Sequence, residues 1–189
     1  MSPAEPPFQL ATAWHRLLQE VELARHYPAP FRLNLGGSVA RNPILERVLP
    51  SLLYVKMVSL LDDALQEYVA SHELEAPKRY PDSLGGRIGL LGDSGTLGDP
   101  AQLRSIKDRR NELAHEVKEH ANWEELEGAL QAVHNELQGL GLVGSRPEYS
   151  FFAERSALHE TERSDALFER TYTYGLKREN SSRDLHRVD

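Results

Sequence analysis

Residues 99–119 read DPAQLRSIKDRRNELAHEVKE, and this stretch decides the fold that the sequence predicts. Asp99 is a favourable N-cap and Pro100 suits the first helical position, so a helix should begin here and run to about Glu119. Its apolar residues, three or four apart across most of the stretch, are Leu103, Ile106, Leu113 and Val117. That spacing is typical of a helix with one buried side.

Arg110 occupies the position in this series where an apolar residue is expected. A guanidinium on a core-facing side needs a partner, or it must open onto a cleft. At about 100° per residue, five polar residues fall within an arc of about 140° on one side of the apolar stripe. They are Arg104, Lys107, Arg110, Asn111 and His115. The sequence thus predicts a band of cations, an amide and an imidazole beside the buried side.

Two helices should precede this one. The first is expected from about Phe8 to His26, and residues 28–42 are interpreted as a loop. Pro43 then opens a long central helix, which Pro50 should kink or delay to about Ser51. Its predicted apolar stripe is Leu45, Val48, Leu52, Val55, Val58, Leu61, Leu65 and Tyr68. Aliphatic residues elsewhere on its circumference predict burial on more than one side.

A glycine-rich segment follows the central helix, between Pro77 and Asp99. Part of it, from Ser83 to Leu91, is compatible with a short helix, although the glycines disfavour one. No Gly-Lys-Ser/Thr follows, so we interpret the segment as a connector rather than a phosphate-binding loop. A last helix should begin after Asn122, where a capping-box pattern occurs, and stop at Gly139 or Gly141.

Together these patterns predict an all-α fold, a four- to five-helix up-and-down bundle over residues 1–145. Residues 146–189 differ in character and are assigned to a C-terminal extension. Residues 149–152 and 168–177 are aromatic and favour β-structure, so two short strands are expected as a small hairpin-like appendage. The end of the chain is expected to be frayed.

Composition restricts the function. The chain has 189 residues, a formal net charge of −7 and no cysteine, so disulfides, thiolate metal sites and a cysteine nucleophile are excluded. An acidic protein repels nucleic acid as a whole, so RNA binding must rest on a local basic patch. One such patch is Arg104, Lys107, Arg109 and Arg110, although most charge runs are ordinary solvated helix faces. The N-terminal residues show no secretory signal, and we expect a cytoplasmic protein that does not enter a membrane.

The sequence RNELAH, from Arg110 to His115, resembles the signature of HEPN domains: an arginine, a polar residue, a spacer and a histidine. The resemblance extends over about residues 42–142, through the long helix, the glycine-rich connector and the closing helix. It implies a metal-independent endoribonuclease without a cofactor, a homodimer that brings two Arg/His sets into one cleft. Such proteins act in toxin–antitoxin or antiphage defence, often with an antitoxin of the nucleotidyltransferase type.

The resemblance also implies residue roles. Arg110 would bind and polarise a phosphate, which suits a bidentate cation. His115 would be the general acid or base, since histidine exchanges protons near neutral pH. Asn111 would orient that ring. Arg104, Lys107 and Arg109 would guide the RNA backbone, and the RNA's own 2′-hydroxyl would be the nucleophile.

Other interpretations stay open. The chain could be a non-catalytic helical module for dimerisation or interaction, with Arg110 paired to Glu46 or Asp62 inside one monomer. His115-Glu116-x-x-x-His120 has one residue too many for the zinc-protease motif, because histidines five apart diverge by about 140°. Exposure of Arg110 and His115 in a subunit groove would favour the enzyme; a sealed salt bridge at Arg110 would favour the module.

Overall fold

The computed structural model describes residues 8–26, 30–32, 39–41, 43–74, 77–116, 119–155 and 172–178. Five helices lie within these ranges, which confirms the all-α class. They are α1 (Phe8–His26), α2 (Pro43–Ser71), α3 (Leu84–Asp93), α4 (Pro100–His115) and α5 (Trp123–Gly139). The central helix α2 packs against α3, α4 and α5, and α4 also packs against α3 and α5.

Side-chain caps fix where three of the helices begin. The Asp99 side chain accepts a hydrogen bond from the N–H of Gln102 at the start of α4, and Asn122 accepts one from Glu125 at the start of α5. Both starts were predicted from the sequence. Ser83 caps α3 in the same way. The helix that we expected only as an option within the glycine-rich connector is therefore present.

The end of α4 differs from the prediction. The helix stops at His115, and Glu116 adopts an extended backbone with φ −106° and ψ 109°. Arg109 explains the early stop, since its guanidinium binds both the Glu119 carboxylate and the backbone carbonyl of His120. These bonds hold Glu119 and His120 against α4.

Two short β-ladders lie outside the helices. β1 (Pro30–Arg32) pairs antiparallel with β2 (Val39–Arg41), so the interpretation of residues 28–42 as a loop missed these two strands. Strands of three residues are too short to show an alternating pattern in the sequence. β3 (Tyr149–Arg155) pairs antiparallel with β4 (Tyr172–Arg178), as the aromatic segments predicted.

The core is built around α2, in which Met57, Leu61 and Leu65 are fully buried. The predicted stripe of α2 is correct over its second half and wrong over its first, where Leu52 is 60 % exposed. Leu53 and Tyr54 are buried instead. α2 also begins at Pro43 and continues through Pro50 rather than starting at Ser51. Packing of the residues after Pro50 outweighs the loss of its single backbone donor.

Three glycines let α3 pack closely on its surroundings. A Cβ on Gly86 would lie 1.9 Å from the carbonyl oxygen of Pro81, and a Cβ on Gly92 would lie 2.8 Å from a ring carbon of Pro100. A Cβ on Gly89 would meet the Tyr80 ring at 3.2 Å. These glycines serve close packing rather than flexibility, which is why a glycine-rich segment folds as a helix here.

The chain divides into two compact units. One comprises the described residues within 1–18 and 28–146 and contains helices α2 to α5. The other comprises those within 19–27 and 147–189 and contains β3 and β4. The sequence-based boundary at residue 145 stays a prediction. None of the helices in the described ranges combines the length and apolar character needed to cross a membrane.

Candidate functional site

A cleft of about 630 Å³ opens between α2, α3 and α4. Six charged side chains line it, three acidic and three basic. They are Asp62 and Asp63 from α2, Asp82 from the turn before α3, Arg87 from α3, and Lys107 and Arg110 from α4. Asn111 also lines the cleft. A cleft with both signs of charge suits a ligand that carries an anion together with hydrogen-bond donors.

Arg87 neutralises two of the acidic groups. Its guanidinium binds Asp62, and its Nη1 lies 2.6 Å from Oδ1 of Asp82. Asp62, considered as one possible partner of Arg110, therefore pairs with Arg87 instead. The reason is that α3 places a different guanidinium against α2, in a segment that we had interpreted as a connector. Arg87 thus braces α3 and its preceding turn against the central helix.

Arg110 has no such partner. Its Nη1 donates a hydrogen bond of 3.2 Å to Oδ1 of Asn111, which is neutral. Its Nε is buried and lacks a hydrogen-bond partner within the described part of the chain. No described carboxylate forms an ion pair with it, and the side chain of Glu46, the other partner considered, lies outside the described residues. Arg110 therefore lines the cleft without an ion pair to any described carboxylate.

Lys107 lies beside the start of α3. Its Nζ would be 3.8 Å from a Cβ on Gly85, and it contacts Oδ1 of Asp108 at 2.6 Å. Among the described residues, no acceptor faces the backbone N–H groups of Leu84 and Gly85. An ammonium group thus sits next to the positive end of a helix dipole, an arrangement that favours an anion between them.

Arg109 differs sharply from its neighbours. Its Nε lies 2.6 Å from Glu125, and its Nη1 lies 2.9 Å from Glu112 and 2.8 Å from Glu119. The hydrogen bonds that it donates to Glu125, Glu119 and Glu112, in that order of effect, raise its pKa above the ordinary value. Four cations were predicted to bind RNA. Arg109 is the least accessible of them to a phosphate, because three carboxylates surround its guanidinium. It holds α4, α5 and their connector together.

His115 and Arg104 lie apart from the cleft. Both are exposed, and neither contributes to its lining. Asn111, predicted to orient His115, instead accepts the hydrogen bond from Arg110. One chain therefore brings Arg110, Asn111 and Lys107 together and leaves His115 at the last residue of α4, open to solvent.

Sequence reasoning missed the acidic half of the cleft and its brace. The sequence indicates Asp62 only as an alternative partner of Arg110, and its spacing does not mark Asp63, Asp82 or Arg87 as residues of the same cleft. One signal was present: Ser83 and Arg87 are four apart in a segment that begins with a favourable cap. A helix assignment there would have placed Arg87 opposite the acidic residues of α2.

Fold and cleft define the class: an all-α helical bundle protein with a cleft of mixed charge against its central helix. No family model, no curated protein and no solved structure matches the chain. The resemblance to HEPN domains thus rests on the residues themselves. In the described ranges, no three His, Asp or Glu side chains are grouped so that they could hold a metal ion.

Proposed function

We propose that this chain is a metal-independent endoribonuclease of the HEPN type that acts as a homodimer. The observation that carries the proposal is the state of Arg110: its guanidinium lines a cleft without a carboxylate partner among the described residues. A partly buried, uncompensated cation is costly unless an anion joins it. A phosphodiester is an anion that a planar guanidinium binds well, through two parallel hydrogen bonds.

The reaction needs only groups of the protein and the RNA. The 2′-oxygen attacks phosphorus and forms a P–O bond, while the bond from phosphorus to the 5′-oxygen breaks. A base takes the proton of the 2′-hydroxyl, and an acid gives one to the departing 5′-oxygen. Arg110 stabilises the charge that builds up on phosphorus, and His115 moves a proton. The products are a 2′,3′-cyclic phosphate and a 5′-hydroxyl.

A second copy supplies what one chain lacks. Arg110 faces the cleft and His115 lies exposed at the end of the same helix, so the two do not meet within one monomer. A twofold axis beside α4 would set the His115 of one subunit near the Arg110 of the other. In this proposal Lys107 and Arg104 steer the RNA backbone. A cytoplasmic role in toxin–antitoxin or antiphage defence, with a nucleotidyltransferase-type antitoxin, follows from the same resemblance.

A non-catalytic dimerisation module is the second candidate. Leu52 is 60 % exposed and Val48 is 38 % exposed, and they lie one turn apart on α2. Exposed apolar residues on one helix face suit a protein partner. Under this alternative the bundle binds another chain, and the cleft carries no chemistry.

The deciding experiment is cleavage of a mixed-sequence RNA by the purified protein in EDTA, with the oligomeric state measured in parallel. Arg110→Ala should lower the rate about 10²–10³-fold, and His115→Ala about 10²–10⁴-fold. Exposed residues give matched controls: Arg16→Ala and His120→Ala should cleave like wild type. If a folded dimer leaves RNA intact, or if the controls lose as much activity, the ribonuclease proposal fails and the module replaces it.

A further inference from the structure

The cleft contains a second recognition element besides its cations. Asp63 is exposed on α2, lines the cleft, and forms no ion pair with a described residue. Asp62 and Asp82 are both engaged by Arg87, so Asp63 is the carboxylate that stays open to a ligand. An ionised carboxylate only accepts hydrogen bonds, and its two oxygens match two neighbouring donors.

The same cleft presents donors. Lys107 and Arg110 line it, and so do Leu84 and Gly85, whose backbone N–H groups form no hydrogen bond with a described residue. Gly85 has no side chain to fill the space beside Lys107. Among the described residues the Arg110 guanidinium donates only to the neutral Asn111, so it can still bind an anion in the cleft.

We infer that this cleft is a nucleotide-binding subsite that holds a phosphate between Lys107, Arg110 and the first turn of α3, and the base against Asp63. Its volume of about 630 Å³ lies within the range of about 300–1,000 Å³ that small-molecule sites occupy. The inference rests on the proposed function, because it assigns the cleft to one nucleotide of the RNA substrate. It adds a base preference that the ribonuclease proposal does not contain.

The chemistry of Asp63 selects among bases. Guanine presents two adjacent donors on its Watson–Crick edge, the N1–H and the exocyclic amino group, and these fit one carboxylate. Uracil presents a single N–H between two carbonyl oxygens, which a carboxylate repels. Single-stranded RNA exposes these edges to protein side chains. The subsite should therefore prefer guanosine to uridine.

Isothermal titration calorimetry with guanosine monophosphate, uridine monophosphate and inorganic phosphate tests the inference on the full chain. Guanosine monophosphate should bind most tightly. Lys107→Ala or Arg110→Ala should weaken it about tenfold or more, the loss expected for a hydrogen bond to a charged group. Asp63→Asn should reduce the preference for guanosine over uridine about tenfold and leave binding of inorganic phosphate unchanged.

Matched controls are Glu67→Gln, one turn beyond Asp63 on α2, and Arg16→Ala on α1; both residues are exposed and outside the cleft lining. Circular dichroism of each variant establishes that it is folded.

Three outcomes would overturn the inference: equal binding of the two nucleotides, no binding to wild type at millimolar concentration, or equal losses of binding in the controls. Binding as described without RNA cleavage would leave the subsite standing while the ribonuclease proposal fails. Cleavage of RNA without nucleotide binding would overturn the subsite and leave the ribonuclease proposal standing.

Discussion

Trp14 of α1 donates a hydrogen bond of 3.0 Å from its indole Nε1–H to Nδ1 of His134 in α5. The two rings are stacked with centroids 6.2 Å apart, and both side chains are buried. Because Nδ1 accepts, the proton of a neutral imidazole lies on Nε2, which has no partner among the described residues. The bundle core therefore requires the neutral form of His134.

The first prediction is that acid weakens this core. Burial, and to a smaller extent the charge of Arg146, lowers the pKa of His134 below its ordinary 6.5. Between the lowered pKa and 6.5 the unfolded chain binds the extra proton more readily than the folded one. The stability that His134 contributes is thus present above pH 6.5 and lost as pH falls below it.

Urea unfolding across this range measures the effect. The free energy of unfolding of wild type should fall between about pH 7.5 and about pH 5.5, where an ordinary histidine titrates. His134→Gln should reduce that slope, and His120→Gln, a change at an exposed histidine, should leave it as in wild type. A slope in His134→Gln equal to that of wild type would contradict the assignment.

The second prediction concerns Arg109 as the tie between α4, α5 and their connector. Arg109→Ala should lower the free energy of unfolding by about 1.5–3 kcal/mol, the range for hydrogen bonds to charged groups. Arg109→Lys should recover only part of this loss, because an ammonium cannot reproduce the guanidinium fork.

The Tyr54 hydroxyl lies in the same electrostatic environment: burial, and then Glu125, raise its pKa to about 12.

Denaturant unfolding of these variants is compared with Arg104→Ala, an exposed change on the same helix that should stay within about 0.5 kcal/mol of wild type. A loss at Arg104 as large as that at Arg109 would show that the carboxylate network is not the cause.

The third prediction separates two adjacent glycines of α3. A Cβ at Gly86 would collide with the backbone oxygen of Pro81, which cannot move without shifting the turn that carries Asp82 and Ser83. Gly86→Ala should therefore cost about 1–3 kcal/mol, as overpacking does. A Cβ at Gly85 meets only Lys107 at 3.8 Å, so Gly85→Ala should be neutral or stabilise by up to about 1 kcal/mol. Thermal unfolding of both variants checks this order, and the reverse order would refute the packing assigned to α3.

Local chemistry made much of the fold predictable. Caps such as Asp99 and Asn122 act within three residues of the helix they start, so their positions could be read directly. The end of α4 could not be read in this way. It depends on Arg109 reaching Glu119 and the carbonyl of His120, and nothing in the helical spacing encodes that return.

The candidate site shows the same division. The irregular position of Arg110 in an apolar series predicted a cation that either has a partner or opens onto a cleft, and in the structure Arg110 lines a cleft. Which guanidinium pairs with Asp62 could not be predicted from the sequence. Arg87, which forms that ion pair, lies on α3, and the glycines of this segment disfavour a helix prediction. Charge partners across a bundle depend on tertiary packing, which spacing along one helix does not specify.

The fourth prediction distinguishes two cationic residues of α4, Lys107 and Arg109, which lie two positions apart. Lys107 lines the cleft, whereas Arg109 is held by three carboxylates. If Lys107 contacts a phosphate of single-stranded RNA, Lys107→Ala should reduce the slope of log affinity against log salt concentration by about 0.7, the value for one released counterion. Arg109→Ala should leave this slope unchanged, although it lowers stability. The measurement is fluorescence anisotropy of a labelled RNA over a salt series, with the inactive His115→Ala background preventing cleavage. A reduced slope in Arg109→Ala together with an unchanged slope in Lys107→Ala would reverse the roles assigned here and place the RNA on the opposite side of α4 from the cleft.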